Sequence, residues 1–211
     1  MKKIKLLIIA LGISFSAFSQ IELAATAGYM FGGSIDYYEG KMKIYDNMSY
    51  GGSLILPVKE IVDLEINYTR MDSRARFTAY RPGYNNVDIN HLNVNYLQIG
   101  TLKTFNINND IVRPFGSFSL GAAWFQVKDD VYSIDDVWQF SITAGLGAKV
   151  YISERVGLIF RGRFMLPINF NGVGFYYGIG GGGSGGGLSL NSYAQMVQID
   201  LSGGLVIRLG N

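Results

Sequence analysis

The residues with the clearest potential for catalysis are His91 and the serines that could approach it. His91 is the only histidine in the sequence, and a serine nucleophile needs such a base within hydrogen-bond reach. Leu92 and Asn93 follow His91 directly, while Ser133 and Ser192 lie in distant segments that nothing in the sequence places beside it. We therefore expect no catalytic residues. One histidine and no cysteine also argue against a zinc site and exclude disulfides, so no metal or cofactor is expected.

A second set of side chains is charged and shares the polar positions of segments in which polar and apolar residues alternate. The set contains Glu22, Asp63, Glu65, Asp200, Arg113, Lys149, Arg161, Arg163 and Arg208. If the polar face encloses an interior, these charges should pair, because isolated charges there are costly. We predict a lumen charge cluster of Glu65, Arg161, Arg163 and Asp200, in which Arg161 or Arg163 reaches Asp200. The cluster would either plug the interior or gate a narrow ion path.

The elements that position these residues are long strands with two different faces. In residues 138–152 every second residue is apolar, and the residues between are mostly Gln, Ser, Thr, Gly and Lys. A period of two is the period of a β-strand. The run exceeds the about 5–6 residues of an ordinary strand and suffices for a tilted transmembrane strand of about 9–11 residues.

Eight segments of this kind occur along the chain. They lie near residues 21–31, 48–57, 61–71, 90–105, 111–127, 137–152, 155–166 and 193–209. The connections after the second, fourth and sixth segments are short and the others are longer, as in bacterial outer-membrane barrels with short periplasmic turns. The pattern predicts an all-β fold, an eight-stranded antiparallel transmembrane up-and-down β-barrel with both termini in the periplasm. So narrow a lumen is usually filled by side chains, which favours the plug.

Aromatic residues near the ends of the segments that meet the long loops form a second pattern. They are Tyr29, Tyr50, Tyr68, Trp124, Trp138, Phe164 and Tyr193. Aromatic rings with a polar edge favour the membrane–water interface. We therefore predict an aromatic girdle at one level of the barrel.

Three segments depart from simple alternation. Leu92 and Leu97 lie in opposite phases of the fourth segment, which predicts a bulge near Tyr96. Residues 74–80 remain strand-like and precede a turn signal at residues 81–86, so a hairpin should project beyond the membrane. The glycine-rich residues 178–187 are expected to form a flexible extracellular loop.

The first 19 residues carry the features of a secretory signal peptide. Lys2, Lys3 and Lys5 precede a short apolar run that ends at Ala17-Phe18-Ser19, which leaves residues 20–211 as the barrel domain. Without those three of the 18 basic residues, 15 remain against 16 acidic ones, so no nucleic-acid partner is expected. A soluble lipocalin-type barrel would carry many lysines and glutamates on its polar face, whereas charged residues are only 16% of this chain.

Two segments carry a resemblance to a known family. Residues 202–209 fit the polar-x-Gly-x-x-apolar-x-apolar signal of the last strand of outer-membrane barrels, and residues 113–122 resemble the fifth strand of small barrels. The chain thus resembles the OmpA/OmpX-like superfamily, and Gln20 at the mature N-terminus is similar to Bacteroidetes members. The resemblance implies contact with outer-membrane lipid and lipopolysaccharide, and insertion by the barrel assembly machinery. Some barrels of this size modify lipid A with a His and a Ser at the outer rim.

These patterns lead to one main functional prediction and two alternatives. The main prediction is a small, monomeric, non-enzymatic barrel of the bacterial outer membrane. It would act in envelope integrity or surface interaction through its extracellular loops, which could bind an extracellular protein partner. The first alternative is a narrow porin-like channel for ions or small solutes. The weaker alternative, a lipid-modifying enzyme, would need a serine beside His91.

Overall fold

The computed structural model describes residues 21–36, 40–59, 61–80, 86–105, 111–128, 136–180, 183–194 and 196–209, with backbone alone for residue 59 and residues 169–194. Residues 1–20 lie outside this description, so the signal peptide stays a prediction. Within the described residues, no helix has the length and apolar character needed to cross a membrane.

Eleven strands make up the described fold. They are β1 (Ile21–Phe31), β2 (Ser34–Asp36), β3 (Gly40–Ile44), β4 (Asn47–Lys59), β5 (Val62–Ala79), β6 (Val87–Thr104), β7 (Val112–Val127), β8 (Val137–Tyr151), β9 (Val156–Gly180), β10 (Gly183–Ala194) and β11 (Gln198–Leu209).

Eight of these strands close into a barrel. They pair antiparallel in the order β1, β4, β5, β6, β7, β8, β9 and β11. The ring closes because β11 pairs with β1, from Ile21 opposite Leu209 to Phe31 opposite Ile199. The predicted eight-stranded antiparallel barrel is confirmed.

The two ends of the barrel differ in their connections. At one end, which we call the short-turn end, residues 60–61, 105–111 and 152–155 join successive barrel strands. Ile21 and Leu209 pair at this same end. The opposite, long-loop end carries the remaining connections, and there β2 and β3 form a hairpin that pairs with the upper part of β5.

The predicted projecting hairpin is confirmed in its strand pairing. β5 continues to Ala79, and its upper part pairs with β6 from Ala75 opposite Ile89 to Phe77 opposite Val87. The Tyr80 hydroxyl donates a 2.8 Å hydrogen bond to Asp36 of β2. The turn residues 81–85 lie outside the described part of the chain. Strands β2, β3, β5 and β6 therefore form one sheet that extends the barrel wall at the long-loop end.

The last two predicted barrel segments had wrong boundaries. The seventh, expected to end near residue 166, runs to Gly180 as β9, and the eighth begins at Gln198 and not at residue 193. Strand β10 lies between them and pairs with β9 from Ala194 opposite Ile168 to Gly183 opposite Gly180. The predicted flexible loop at residues 178–187 is thus also wrong for the described residues. Strand pairing uses backbone N–H and C=O groups, which glycine retains.

The predicted bulge near Tyr96 is wrong in position. β6 pairs with β5 without interruption from Leu92 to Lys103. The register shifts instead between Ser73 and Ala75, where residues 90–91 of β6 oppose one residue of β5. Two residues opposite one define a β-bulge. Leu92 and Leu97 lie in opposite phases because Leu92 is buried inside the barrel while Leu97 is 49% exposed outside it.

Candidate functional site in the barrel interior

The predicted lumen charge cluster lies at mid-height, and its four side chains are at most 6% exposed. Its members come together as two ion pairs. Arg161 Nη1 lies 2.7 Å from Glu65 Oε1, which spans the lumen from β9 to β5. Arg163 Nη2 lies 2.8 Å from Asp200 Oδ2, on the neighbouring strand β11. Two acids and two bases leave this layer neutral, as buried charges require.

Neutral side chains that sequence reasoning missed add further hydrogen bonds to this layer, although the buried Nε of Arg161 has no partner among the described residues. Ser49 Oγ and Ser202 Oγ donate to Asp200 at 2.6 and 2.8 Å. Arg163 Nη1 donates to Asn67 Oδ1 at 2.7 Å, and Arg161 Nη2 donates to Ser53 Oγ at 3.4 Å. The sequence feature that could have identified these side chains is their position in the inward phase of β4, β5 and β11. We call this whole layer the central charge layer.

A second charged group lies at the short-turn end. Lys149 Nζ lies 2.5 Å from Glu22 Oε2, and Arg208 Nε lies 3.1 Å from Glu22 Oε1. Asp63 Oδ2 is 3.7 Å from the same lysine. The Tyr151 hydroxyl donates to Glu22, and the Arg208 guanidinium lies 3.5 Å from the centroid of that ring. Glu22 is therefore the acceptor around which this basal charge group is organised.

A group of apolar side chains lies next to the two charged groups and comes between them on β11, whereas on β5 Asp63 and Glu65 are successive inward residues. This apolar floor consists of Ala24, Ile55, Leu102, Phe115, Tyr151, Ile159 and Val206, all buried. These residues point into the barrel, as the charged residues do. On β9, for example, Ile159, Arg161 and Arg163 are successive inward residues. The inward face is therefore not uniformly polar.

A larger apolar cluster lies above the central charge layer, toward the long-loop end of the barrel. This apolar cap consists of Met30, Ile44, Met71, Ala75, Ile89, Leu92, Val94, Tyr96, Ala123, Phe125, Met165 and Met196. Within the cap, the Tyr96 hydroxyl donates to Gln198, whose Nε2 donates to the Gly32 carbonyl at 2.8 Å. Sequence reasoning missed the cap because it assigned every apolar position to the outer face.

The predicted aromatic girdle lies on the outer wall for most of its members. Tyr29, Tyr50, Trp138 and Phe164 are exposed. The rings of Trp124 and Trp138 stack with centroids 4.9 Å apart, and Tyr68 lies 6.1 Å from Trp124. Tyr193 belongs to β10 and not to the last barrel strand, and its side chain lies outside the described part.

The comparisons with known proteins address the fold. No protein-family model matches the sequence, and no curated protein matches it. The crystal structure of Neisserial surface protein A matches with a TM-score of 0.56 and 12% identity, over 90% of this chain and 97% of that chain. The outer membrane protein OprG from Pseudomonas aeruginosa matches with a TM-score of 0.62 and 8% identity, over 92% and 97%. This is the fold of the small eight-stranded outer-membrane β-barrels. At such identities the likeness concerns the fold alone, and a Bacteroidetes origin stays a prediction.

The residues considered for catalysis lie on different strands or outside the described part of the chain. His91 is exposed at the bulge in β6. Ser133 lies outside the described residues, and only the backbone of Ser192 is described, in β10 opposite Phe170. Among the described residues, no group of three or more acidic, histidine or cysteine side chains could hold a metal ion.

Proposed function

We propose that this protein is a closed, non-enzymatic barrel of the bacterial outer membrane, which acts through the surface at its long-loop end. Its short-turn end and both termini would lie in the periplasm. The outer wall supports a membrane location, because large apolar side chains such as Leu97, Leu146 and Leu201 are exposed there by 49–68%. A lipid-facing apolar band with aromatic rings at its edge is the arrangement typical of transmembrane barrels.

The observation that carries this proposal is the layering of the lumen. An ion crossing the barrel would pass the buried apolar side chains of the floor, the paired charges of the central charge layer and the apolar side chains of the cap. Where it met apolar side chains it would lose hydration water without gaining polar contacts, which is costly. These layers argue against the narrow-channel alternative, and they suit a role as a rigid support for the loops.

The sheet extension at the long-loop end supports a surface role. β5 and β6 continue beyond Tyr68, and the β2–β3 hairpin widens the sheet. An extracellular protein or the lipopolysaccharide layer would meet this sheet first. Rigid barrels that present loops are a common way of building binding surfaces.

Epitope tags in two turns test this orientation in intact cells. A tag within residues 81–85 should bind its antibody without permeabilisation, whereas a tag within residues 106–110 should bind only after the outer membrane is disrupted. Heat-modifiable migration on gels would verify that both tagged proteins fold. The opposite labelling pattern, or labelling of neither tag after disruption of the outer membrane, would contradict the proposal.

A further inference from the structure

The outward face of β5 changes character above the girdle. Leu64, Ile66 and Tyr68 are followed in the same phase by Arg70, Asp72, Arg74 and Arg76. Arg70 is neutralised locally, because its Nη2 lies 2.7 Å from Asp72. Arg74 and Arg76 lie further from the girdle, where the sheet extension begins.

Lys43 joins these two arginines through the strand register. β3 pairs with β5 so that Lys43 lies opposite Arg76, and the backbone N–H of Tyr45 bonds to the Arg74 carbonyl at 2.9 Å. The Tyr45 ring contacts two cations, with Lys43 Nζ 5.3 Å and Arg74 Cζ 5.5 Å from its centroid. Cation–π contacts of this kind hold cationic side chains in place without neutralising them.

The charges at this place do not balance. Arg76 is engaged by Asp88 through two contacts, Nε to Oδ1 at 2.5 Å and Nη2 to Oδ2 at 2.9 Å. Among the described residues, neither Lys43 nor Arg74 has a carboxylate within salt-bridge distance. Three cations against one carboxylate leave an excess of two positive charges.

The bulge in β6 gives this charged place a concave shape. Residues 90–91 oppose Arg74 alone, and a recess of about 310 Å³ opens there, lined mainly by Tyr45, Arg74, Arg76, Asp88 and Asn90. Bulges re-aim side chains and are frequent beside functional sites. The recess and the excess charge are independent observations that meet at Arg74.

We propose that this recess binds a phosphate or sulfate monoester, with Arg74 as its principal ligand and Arg76 as the second cation of its lining. Lys43 lies beside the recess, opposite Arg76, and adds its charge from there. The planar fork of an arginine matches two oxygens of a tetrahedral oxyanion, and a lysine supplies a point charge. Asp88 orients Arg76 and disfavours a ligand that extends toward β6. The ester would belong either to a phosphorylated glycolipid of the outer leaflet or to a soluble anionic glycan. This inference deepens the proposed surface role and rests on it for the outward orientation of the long-loop end.

The test uses the full barrel refolded in detergent and a charge-matched pair of variants. Lys43→Gln with Arg74→Gln removes the two cations that have no carboxylate partner among the described residues. Lys103→Gln with Arg155→Gln removes the same charge from exposed positions near the short-turn end, at the opposite end of the barrel. One arm measures the affinity for labelled dextran sulfate at low salt, with neutral dextran as the blank. The other compares the thermal unfolding midpoint with phosphorylated and with dephosphorylated lipid A.

The expected result is a selective loss in the first variant. Its affinity for dextran sulfate should fall by about tenfold or more, or its phosphate-dependent midpoint shift should disappear, while the control variant keeps both. Loss in the lipid A arm alone assigns the ester to the glycolipid, and loss in the dextran sulfate arm alone assigns it to a soluble glycan. Equal losses in both variants, or no loss in either arm, would overturn the inference. Both measurements use refolded protein and do not depend on the orientation of the barrel in cells. Failure of this inference can therefore be distinguished from failure of the proposed orientation in the epitope experiment.

Discussion

At the scale of single residues, Asp200 is the side chain on which the central charge layer depends most. It is fully buried, and it accepts hydrogen bonds from Arg163, Ser49 and Ser202. These three donors come from three different strands, β9, β4 and β11. Loss of the carboxylate charge would therefore leave the Arg163 guanidinium without its counter-ion in the interior.

The substitution Asp200→Asn should destabilise the barrel strongly. Removal of one partner from a buried ion pair costs about 3–5 kcal/mol, and the measurement is urea-induced unfolding of the refolded protein. Asp88→Asn is the matched control, because it also removes a carboxylate paired with arginine but at an exposed position. The control should leave the unfolding midpoint unchanged. An unchanged midpoint for Asp200→Asn would show that the pair contributes nothing to the fold.

The members of the lumen charge cluster could be found in the sequence, but their partners could not. Alternation places Glu65, Arg161, Arg163 and Asp200 in the inward phase. A choice between Arg161 and Arg163 for Asp200 needs the register of β9 on β11, which places Arg163 opposite Asp200. The neutral donors were missed for a related reason, since serine and asparagine occupy many inward positions and only the barrel radius determines which of them touch a charge.

At the scale of strands, glycines in the inward phase allow neighbouring backbones to approach closely. At the seam where the barrel closes, a Cβ atom on Gly204 of β11 would overlap the Ala25 carbonyl oxygen of β1. Tightly coiled sheets use glycine at such places. The seam is therefore a place where a single methyl group should disturb strand pairing.

The substitution Gly204→Ala should lower stability by about 1–3 kcal/mol, the usual range for overpacking. Gly162→Ala is its control, because there the nearest atom, 3.3 Å from the added Cβ, is the flexible end of Leu201. The fraction of protein with heat-modifiable migration and the urea midpoint report both effects. Equal stability of the two variants would mean that the seam relaxes without cost.

Most barrel strands could be predicted because the period of two persists along them. The exceptions have physical causes. β9 and β10 continue through glycines, which carry backbone pairing groups but no side-chain period. In β6, Leu92 and Val94 are apolar although they point into the barrel, because they belong to the apolar cap. The apolar residues of β6 therefore change phase along the strand although its pairing continues. An apolar residue inside a barrel and one outside it are indistinguishable by hydropathy alone.

At the scale of the whole molecule, the position of the barrel in the bilayer can be tested through its two tryptophans. Trp124 and Trp138 are the only tryptophans of the chain, and both belong to the predicted girdle. In vesicles of brominated lipids, bromines near the headgroups should quench their fluorescence more than bromines near the bilayer centre, because indole rings favour the interface. The variant Trp138→Phe retains only Trp124, and the fluorescence of Trp124 should also be quenched more by the bromines near the headgroups. Stronger quenching by the deep bromines would contradict the girdle.

The layered interior gives the whole molecule its proposed character. The apolar floor, the central charge layer and the apolar cap are each built from inward positions of several strands. We therefore propose that the interior acts as structural filling and that function belongs to the surface at the long-loop end.

Single-channel conductance of the refolded barrel in a planar bilayer tests this central claim most directly. We predict a silent bilayer for the unaltered protein, with folding verified by heat-modifiable migration and with a known porin as the positive control. We also predict silence for Arg161→Gln, because the floor and the cap remain. Stable, reproducible current steps that change on Arg161→Gln or Arg163→Gln would contradict the closed lumen and favour a channel.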